Sequence, residues 1–336
     1  MKKKYGPLRV TLTVVVFILL LVLAAALVLI GPAELFGLGD SGAPLQLRFA
    51  NDYLCEDVRE IRGSFNRYDV ELLLSEDGDS LRVEQHCSAQ VDPAYLFTVS
   101  QEEGVITITL PEDNSVRGLF RSLVGTPSLV RIWIPRKYAG SLNLGVTSGA
   151  ITCRADFALQ NLTLSSTDGA ITMTGKLNCN GTYITSSSGK IELALVSGLN
   201  LQIKTSSGAI VADSLEASAS LDLTCISGSV AIRSINSGSQ SVITDSGTVE
   251  IVSISGAGRF KTGPGSIKAR FDAVNGDIVL EAGPGNILCA MPRNANVYTQ
   301  TKVTSSGVIY DDFANLTGMY FVSATVTSGR IDIIQG

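Results

Sequence analysis

The chain has few of the residue types from which most catalytic and metal sites are built. Its 336 residues include one histidine, one tryptophan and six cysteines, and no two cysteines stand in a Cys-x-x-Cys pair. The histidine, His86, follows an apparent strand, a position more typical of a surface or hydrogen-bonded residue than of a general base. Because the sequence has no His/Cys cluster and no Gly-x-Ser-x-Gly motif, we expect neither a structural zinc site nor an α/β-hydrolase nucleophile.

Charge is also scarce, and it is balanced. The 26 lysines and arginines stand against 31 aspartates and glutamates, a net charge of −5, which does not suggest a nucleic-acid partner. Carboxylates that cleave a glycan would share a strand face, yet Asp168, Asp213, Asp245 and Asp277 fall at different positions of the repeat described below. We therefore predict a protein that is not an enzyme, with no catalytic, cofactor-binding or metal-binding residues and no cofactor.

Glycine is abundant, with 33 residues against 10 prolines, and Ser, Thr, Val and Ile dominate the second half. This composition is typical of strands joined by many tight turns. We predict that the part of the chain outside the membrane belongs to the all-β class.

One long apolar run stands apart near the N-terminus. Residues 1–9, "MKKKYGPLR", are basic, and residues 10–30 carry no charge. Roughly 21 residues at 1.5 Å each make a helix of about 31 Å, enough to cross a hydrocarbon core of about 30 Å. We predict a cytoplasmic stub (1–9), a transmembrane helix (10–30) and a Gly-, Pro- and Ala-containing linker (31–46).

A cleaved signal peptide is the alternative for this segment, although its apolar core is usually only about 7 to 15 residues long. Under the positive-inside rule the basic stub stays in the cytoplasm. The predicted localisation is therefore the cell membrane, crossed once, with the rest of the chain on the outer side.

The strongest signal in the sequence is a repeated Ser-Gly-x-Ile motif, first seen in "TSGAITC" (Thr147 to Cys153). Its glycines recur at a period of roughly 20 residues. They are Gly149, Gly169, Gly189, Gly208, Gly228, Gly247, Gly265, Gly285, Gly307 and Gly329. Glycine suits such a corner because it accepts positive φ, and a neighbouring Ser, Thr or Asp can hydrogen-bond the turn.

Two apolar ladders accompany the glycines. One begins two residues after each glycine, as at Ile151 and Cys153, and the other lies five residues before it, as at Leu144. Lys302 and Asp311 are the exceptions in these ladders. Alternation with period two marks strands with one buried face, so each repeat predicts two short strands with the Ser-Gly or Pro-Gly corner between them.

Stacked coils of this kind make a β-solenoid, predicted for residues 141–336, and about ten coils at about 4.8 Å give a rod of roughly 48 Å. Residues 47–140 alternate without the strict period, so we predict an irregular β-rich cap there. Cys153, Cys225 and Cys289 fall on inward positions and are expected in the core. Whether Cys55 and Cys87 form a disulfide in the cap is left open.

The basic stub, the membrane span, the strand in "LVRIWIPRKYAGSLNLGVTSGAI" (Leu129 to Ile151) and the serial coils together resemble a known family. It is the bacterial putative-adhesin family, the LiaG-like or "toastrack" domains of unknown function. The resemblance implies a place at the bacterial cell surface and a link to envelope-stress systems. The family has no established catalytic residues, so none is carried over.

Two features outside the repeat could bind a partner. We predict a basic aromatic patch that binds anionic polymers or lipid headgroups. The alternative is that these are ordinary strand residues, with solvated charges around one buried Trp. The patch comprises Arg117, Arg121, Arg131, Trp133, Arg136, Lys137 and Tyr138. The second feature is the end, "TSGRIDIIQG", where an uncovered solenoid would invite strand addition or self-association, unless a loop near Tyr310 to Tyr320 folds over it.

These features predict a membrane-anchored cell-envelope protein that acts through surface contact, like an adhesin, or through envelope-stress sensing. A glycan-active β-solenoid enzyme and a passive structural spacer are the alternatives. The predicted partners are the membrane, an envelope protein or an anionic cell-wall polymer, and a second copy of the chain.

Overall fold

The described part of the chain is built from β-strands. The computed structural model describes residues 44–75, 78–87, 96–110, 128–314 and 317–336. These ranges contain no helix, and therefore none that is long and apolar enough to cross a membrane. The predicted stub (1–9), the predicted transmembrane helix (10–30) and residues 31–43 of the predicted linker lie outside the described residues.

The described strands form one 19-stranded sheet, so the predicted all-β class is confirmed. In chain order they are β1 (Gln46–Leu54), β2 (Glu60–Phe65), β3 (Asp69–Ser75), β4 (Ser80–Cys87), β5 (Thr98–Glu102), β6 (Val105–Thr109), β7 (Ser128–Pro135), β8 (Ser141–Val146), β9 (Ile151–Cys153), β10 (Phe157–Ser166), β11 (Ile171–Ser186), β12 (Ile191–Thr205), β13 (Ile210–Cys225), β14 (Val230–Thr244), β15 (Val249–Thr262), β16 (Ile267–Pro284), β17 (Ile287–Met291), β18 (Val297–Asp311) and β19 (Tyr320–Gln335).

From β8 onward the strands stack in parallel as the coils of a solenoid of about ten turns. The register follows the sequence repeat: Ile171 lies beside Ile191, and Ile191 lies beside Ile210. The predicted β-solenoid is therefore confirmed.

Each full coil turns three sides toward the core, one more than the two ladders of the sequence prediction. Side A holds residues 171–173 and side C holds residues 182–186, each with its counterparts in the other coils. Side B, at residues 177–179, lies between them. Its large inward residues are Leu177, Val196, Leu215, Ile235, Ile254 and Phe271. The strand continues from side to side through register shifts, such as the one between Met173 and Lys176, instead of ending.

The motif glycines stand in one column at the corner between side C and side A. A Cβ atom on Gly189 would overlap the backbone carbonyl of Gly169 in the coil before it, and φ at Gly189 is not positive. Close stacking therefore requires the glycine there, whereas the predicted positive φ occurs later in the stack, at Gly247, Gly265, Gly285 and Gly329, where φ lies between 128° and 159°. The Gly189 N–H donates to Ser186 Oγ at 2.9 Å, so the hydroxyl three residues before the glycine closes the corner.

The N-terminal cap continues the stack instead of covering it from outside. Strand β2 pairs with β8 and β3 pairs with β9, both in parallel. Strand β7 lies between β3 and β4, and the pairs β4–β7, β1–β4 and β5–β6 are antiparallel. The cap thus ends the solenoid with antiparallel strands that share its core.

The C-terminal end has a strand order that the sequence did not predict. The last strand, β19, lies between β16 and β17 on one side and β18 on the other. The "TSGRIDIIQG" segment is consequently interior, with Ile331 and Ile333 fully buried. Strand β18 is the outermost strand, and the turn after it packs against the end of this segment: the Asp312 N–H donates to the carbonyl of Ile333 at 2.9 Å, and Phe313 is fully buried.

The cysteines are all free in the described residues. Cys153, Cys225 and Cys289 are buried in the core, where they were expected. Cys87 ends β4, while the Cys55 N–H donates to the carbonyl of Asp79, just before the opposite end of that strand. The length of β4 places these two residues about 23 Å apart, which rules out a disulfide between them.

Candidate functional site

The predicted basic aromatic patch does not form one exposed surface. Arg131 pairs with Glu71 at 2.9 Å, and Lys137 pairs with Asp79 at 3.1 Å. Tyr138 is buried and its hydroxyl donates to the carbonyl of Ser141 at 2.6 Å. Arg117 and Arg121 lie outside the described residues.

Trp133, also part of the predicted patch, lies half-buried on the outer face of β7 between Leu73 of β3 and Arg82 of β4. Its Nε1 atom is buried and has no hydrogen-bond partner among the described residues. The indole therefore packs against the sheet instead of standing out as a platform for a ligand.

An ion-pair array accounts for further charges of the cap. Glu84 accepts hydrogen bonds from Arg82 at 2.7 Å and, through the imidazole Nε2, shares one with His86 at 3.0 Å. Burial alone would raise the pKa of the Glu84 carboxyl, but the hydrogen bonds of His86 and Arg82 outweigh it and hold that pKa below its ordinary value. His86 is thus a satisfied polar residue, as the sequence suggested.

An open groove of about 420 Å³ lies where the cap meets side B of the solenoid. The cap contributes Leu74, Pro135, Arg136 and Tyr138 to its walls. The solenoid contributes Asp156, Phe157, Ala158, Lys176, Leu177, Asn178, Leu195 and Ser197. We call this space the cap groove.

The cap groove exists because side B starts one coil later than side C. Strand β10 pairs with β8 only over residues 161–166, so its side B residues from Phe157 to Leu159 pair only with β11. In place of a preceding strand, the chain turns through residues 136–140, and the Gln160 N–H donates to the carbonyls of Ala139 and Gly140 at 3.0 Å. The missing strand leaves the space.

The electrostatic character of the cap groove is positive. Arg136 and Lys176 are both exposed, and neither forms an ion pair in the part of the chain that the structure describes. Asp156 is the one acidic residue of the lining, and its Oδ1 accepts the backbone N–H of Lys176 at 2.7 Å. Two cations against one carboxylate, which is already engaged with an N–H, favour an anionic ligand.

Sequence comparison identifies the family. The family model described as Toastrack DUF4097 matches residues 59–319, a span that runs from just before β2 to just after β18. The chain belongs to the toastrack family. The resemblance seen in the sequence is thereby confirmed at the level of the family. No curated protein shows a significant sequence match to this toastrack chain.

Solved structures that resemble this toastrack chain share little sequence with it. A putative adhesin from Parabacteroides distasonis is 13% identical, with a TM-score of 0.37, and the match covers 86% of this chain and 98% of the adhesin. A putative adhesin from Parabacteroides merdae is 11% identical, with coverages of 87% and 96% and a TM-score of 0.37. A putative lipid-binding protein from Parabacteroides distasonis is 12% identical, with coverages of 86% and 96% and a TM-score of 0.34.

Two aspartates and two cysteines of the toastrack solenoid have structural roles. Asp213 pairs with Arg233 at 3.0 Å, and Asp277 accepts the backbone N–H of Phe321 at 2.8 Å. Burial raises the pKa of the Cys153 and Cys289 thiols to about 12, so both stay protonated and unreactive at neutral pH. Among the described residues, no three His, Cys, Asp or Glu side chains form a group that could hold a metal ion.

Arg136 is the one member of the predicted patch that lines the cap groove as an unpaired cation. Sequence reasoning missed Lys176 and Asn178, because they come from a coil 40 residues further along the chain and side B was not recognised. The signal for them was the apolar Leu177 between two polar neighbours, which is the alternation of a strand with one buried face.

Proposed function

We propose that this toastrack protein is a non-enzymatic cell-envelope protein, anchored in the membrane by residues 10–30, whose solenoid lies outside the membrane and binds an anionic envelope polymer. The observation that carries the proposal is the pair Arg136 and Lys176, two cations without ion-pair partners in the described residues that line one groove. Lys137 and Arg131 nearby are neutralised by carboxylates. This contact role is adhesin-like, and it also suits the sensing of envelope components.

A polymer, rather than a small ligand, fits the surface that continues from the cap groove. The outward row of side B passes from Asn178 to Ser197, Glu216 and Asn236 in successive coils. Neighbouring coils are about 4.8 Å apart, so Asn178 and Ser197 offer an amide and a hydroxyl group beside the charged groove. The carboxylate of Glu216 in the following coil limits the anionic stretch to these first two positions. A chain of acidic sugars or phosphodiesters could place one anionic group at Arg136 and Lys176 and lay neighbouring units along these two positions.

The test measures binding of the full chain, purified in mild detergent, to two fluorescent probes: polygalacturonate, which carries carboxylates, and poly(glycerol phosphate). The variant Arg136→Gln with Lys176→Gln should bind at least tenfold more weakly, because each charge-assisted hydrogen bond is worth about 1.5 to 3 kcal/mol. Which probe binds more tightly distinguishes a carboxylate ligand from a phosphate ligand.

The matched control is Lys204→Gln with Arg293→Gln, which removes the same charge from exposed positions outside the cap groove. It should keep most of the affinity, since long-range attraction alone is screened over about 8 Å at physiological salt. Equal losses in both double variants would show that only net charge matters. Absence of binding to either probe would favour the passive spacer.

A further inference from the structure

The outermost strand of the C-terminal end has one unused edge. Strand β18 pairs with β19 along its whole length, from Val297 beside Tyr320 to Asp311 beside Ile333. No described strand pairs with its other edge. An unpaired edge presents backbone N–H and C=O groups that another strand can bind.

The same edge exposes an apolar side chain at a position that the solenoid buries elsewhere. Ile309 continues the side A column, in which Ile331 is fully buried, yet Ile309 is 43% exposed. Its neighbours Val308 and Tyr310 lie on the outer face, beside Arg330 and Asp332, and are 61% and 51% exposed. The side A column is therefore open at Ile309, and a covering strand would remove that side chain from water.

We propose that two copies of this chain pair through β18 in antiparallel orientation about a two-fold axis. The shape of the edge selects this occupant. Strand β18 bends at the corner Ser305–Gly307, so its first part follows side C and its last part follows side A. A covering strand must bend in the same place, and a second β18 does so, whereas β1 and β5 at the other end are short separate strands.

The register follows from the faces of the strand. Residues on the core side of one copy must lie opposite core-side residues of the other. With Ser306 on the axis, Val303 lies opposite Ile309, and both belong to the core side. The outward residues Lys302 and Tyr310 then face each other, an arrangement that allows a cation–π contact. One register thus matches the bend, the apolar residues and the outward pair.

The two-fold axis crosses the end of the stack, so the two solenoids continue one another and their N-terminal caps lie at opposite ends. Copies anchored by residues 10–30 would then come from two apposed membranes. This last consequence rests on the proposed membrane anchor, whereas the pairing of β18 does not depend on the proposed function.

The first test uses a cysteine on the axis. The variant Ser306→Cys should form a covalent dimer on mild oxidation of the full chain in detergent. Ser246→Cys is the control, since Ser246 is the equivalent exposed corner residue inside the stack, directly before Gly247. The native cysteines are the same in both variants. If Ser306→Cys yields no more dimer than Ser246→Cys, the proposed pairing is wrong.

The second test places a charge on the edge. The variant Ile309→Lys should weaken dimerisation at least tenfold in sedimentation experiments, while Val252→Lys should not, although Val252 is exposed to a similar extent, 52%, inside the solenoid. A circular-dichroism spectrum confirms that each variant folds. A wild-type chain that sediments as a monomer up to about 100 μM would overturn the proposal. Polymer binding at the cap groove should be unchanged in Ile309→Lys, so the two proposals fail independently.

Discussion

A methyl group added at Gly189 has no space in the folded solenoid. Its Cβ would overlap the carbonyl oxygen and carbon of Gly169, and these are backbone atoms held by the coil before it. A flexible side chain could move aside at small cost, but this carbonyl cannot move without shifting the corner. We therefore expect Gly189→Ala to cost about 3 kcal/mol, the upper end of the usual range for overpacking.

The chain offers a matched control for this prediction. A Cβ on Gly238 would have its nearest neighbour, the carbonyl oxygen of Ser218, at 3.7 Å, and φ at Gly238 is not positive. Gly238→Ala should therefore change the free energy of unfolding by less than about 0.5 kcal/mol.

The assay is urea unfolding of both variants, followed by far-ultraviolet circular dichroism, together with thermal melts. A loss of about 3 kcal/mol corresponds to a fall in Tm of about 6 to 12 °C for a domain of this size. If Gly189→Ala were as stable as Gly238→Ala, the stacked glycine column would not be what fixes the corner, and the role assigned to close stacking would be refuted.

Three further predictions concern the Glu84 carboxylate, two buried thiols and the proposed membrane topology. Because the pKa of Glu84 is lowered in the fold, its carboxylate stabilises the protein above pH about 4.5 and this contribution is lost as the pH falls through the folded pKa. Urea unfolding of Glu84→Gln should show a deficit against wild type at pH 7 that shrinks near pH 3, and a constant deficit would contradict this. Cys153 and Cys289 should resist a maleimide at pH 8 until the chain is denatured, as mass spectrometry of labelled peptides will show. External protease on intact cells should remove the solenoid and leave a membrane stub, and full protection would reject the proposed topology.

The period of the solenoid could be predicted because each coil repeats the same environment. Ile171 and Ile191 occupy equivalent sites, so the same residue type recurs. Side B was missed because its distance from side A varies: Leu177 follows Ile171 by six residues, Val196 follows Ile191 by five and Phe271 follows Ile267 by four. Such variation breaks the alternation on which a sequence pattern depends, although the core tolerates it by bending the strand at register shifts.

The order of the last two coils, in which β19 lies inside β18, could not be predicted for a different reason. Ile309 and Ile331 both follow a motif glycine by two residues, so the repeat does not say which coil lies outside. A hint was present in Asp311, an exception to the ladders that lies beside the inward Ile333, whereas the other exception, Lys302, points outward because β18 has one extra residue at the corner. A charge or a polar group in place of an inward apolar residue indicates a coil that is covered on only one side.

The serines of the repeated motif take part in the stack itself, which bears on where this protein binds. Ser188 Oγ donates to the carbonyl of Thr167, and Ser207 Oγ donates to the carbonyl of Ser187, both at 3.1 Å and both one coil back. A hydroxyl already bonded to the preceding coil has one donor fewer for a ligand. Binding is therefore favoured where the stack is interrupted, and the structure interrupts it at the cap groove, where side B lacks a strand, and at the edge of β18.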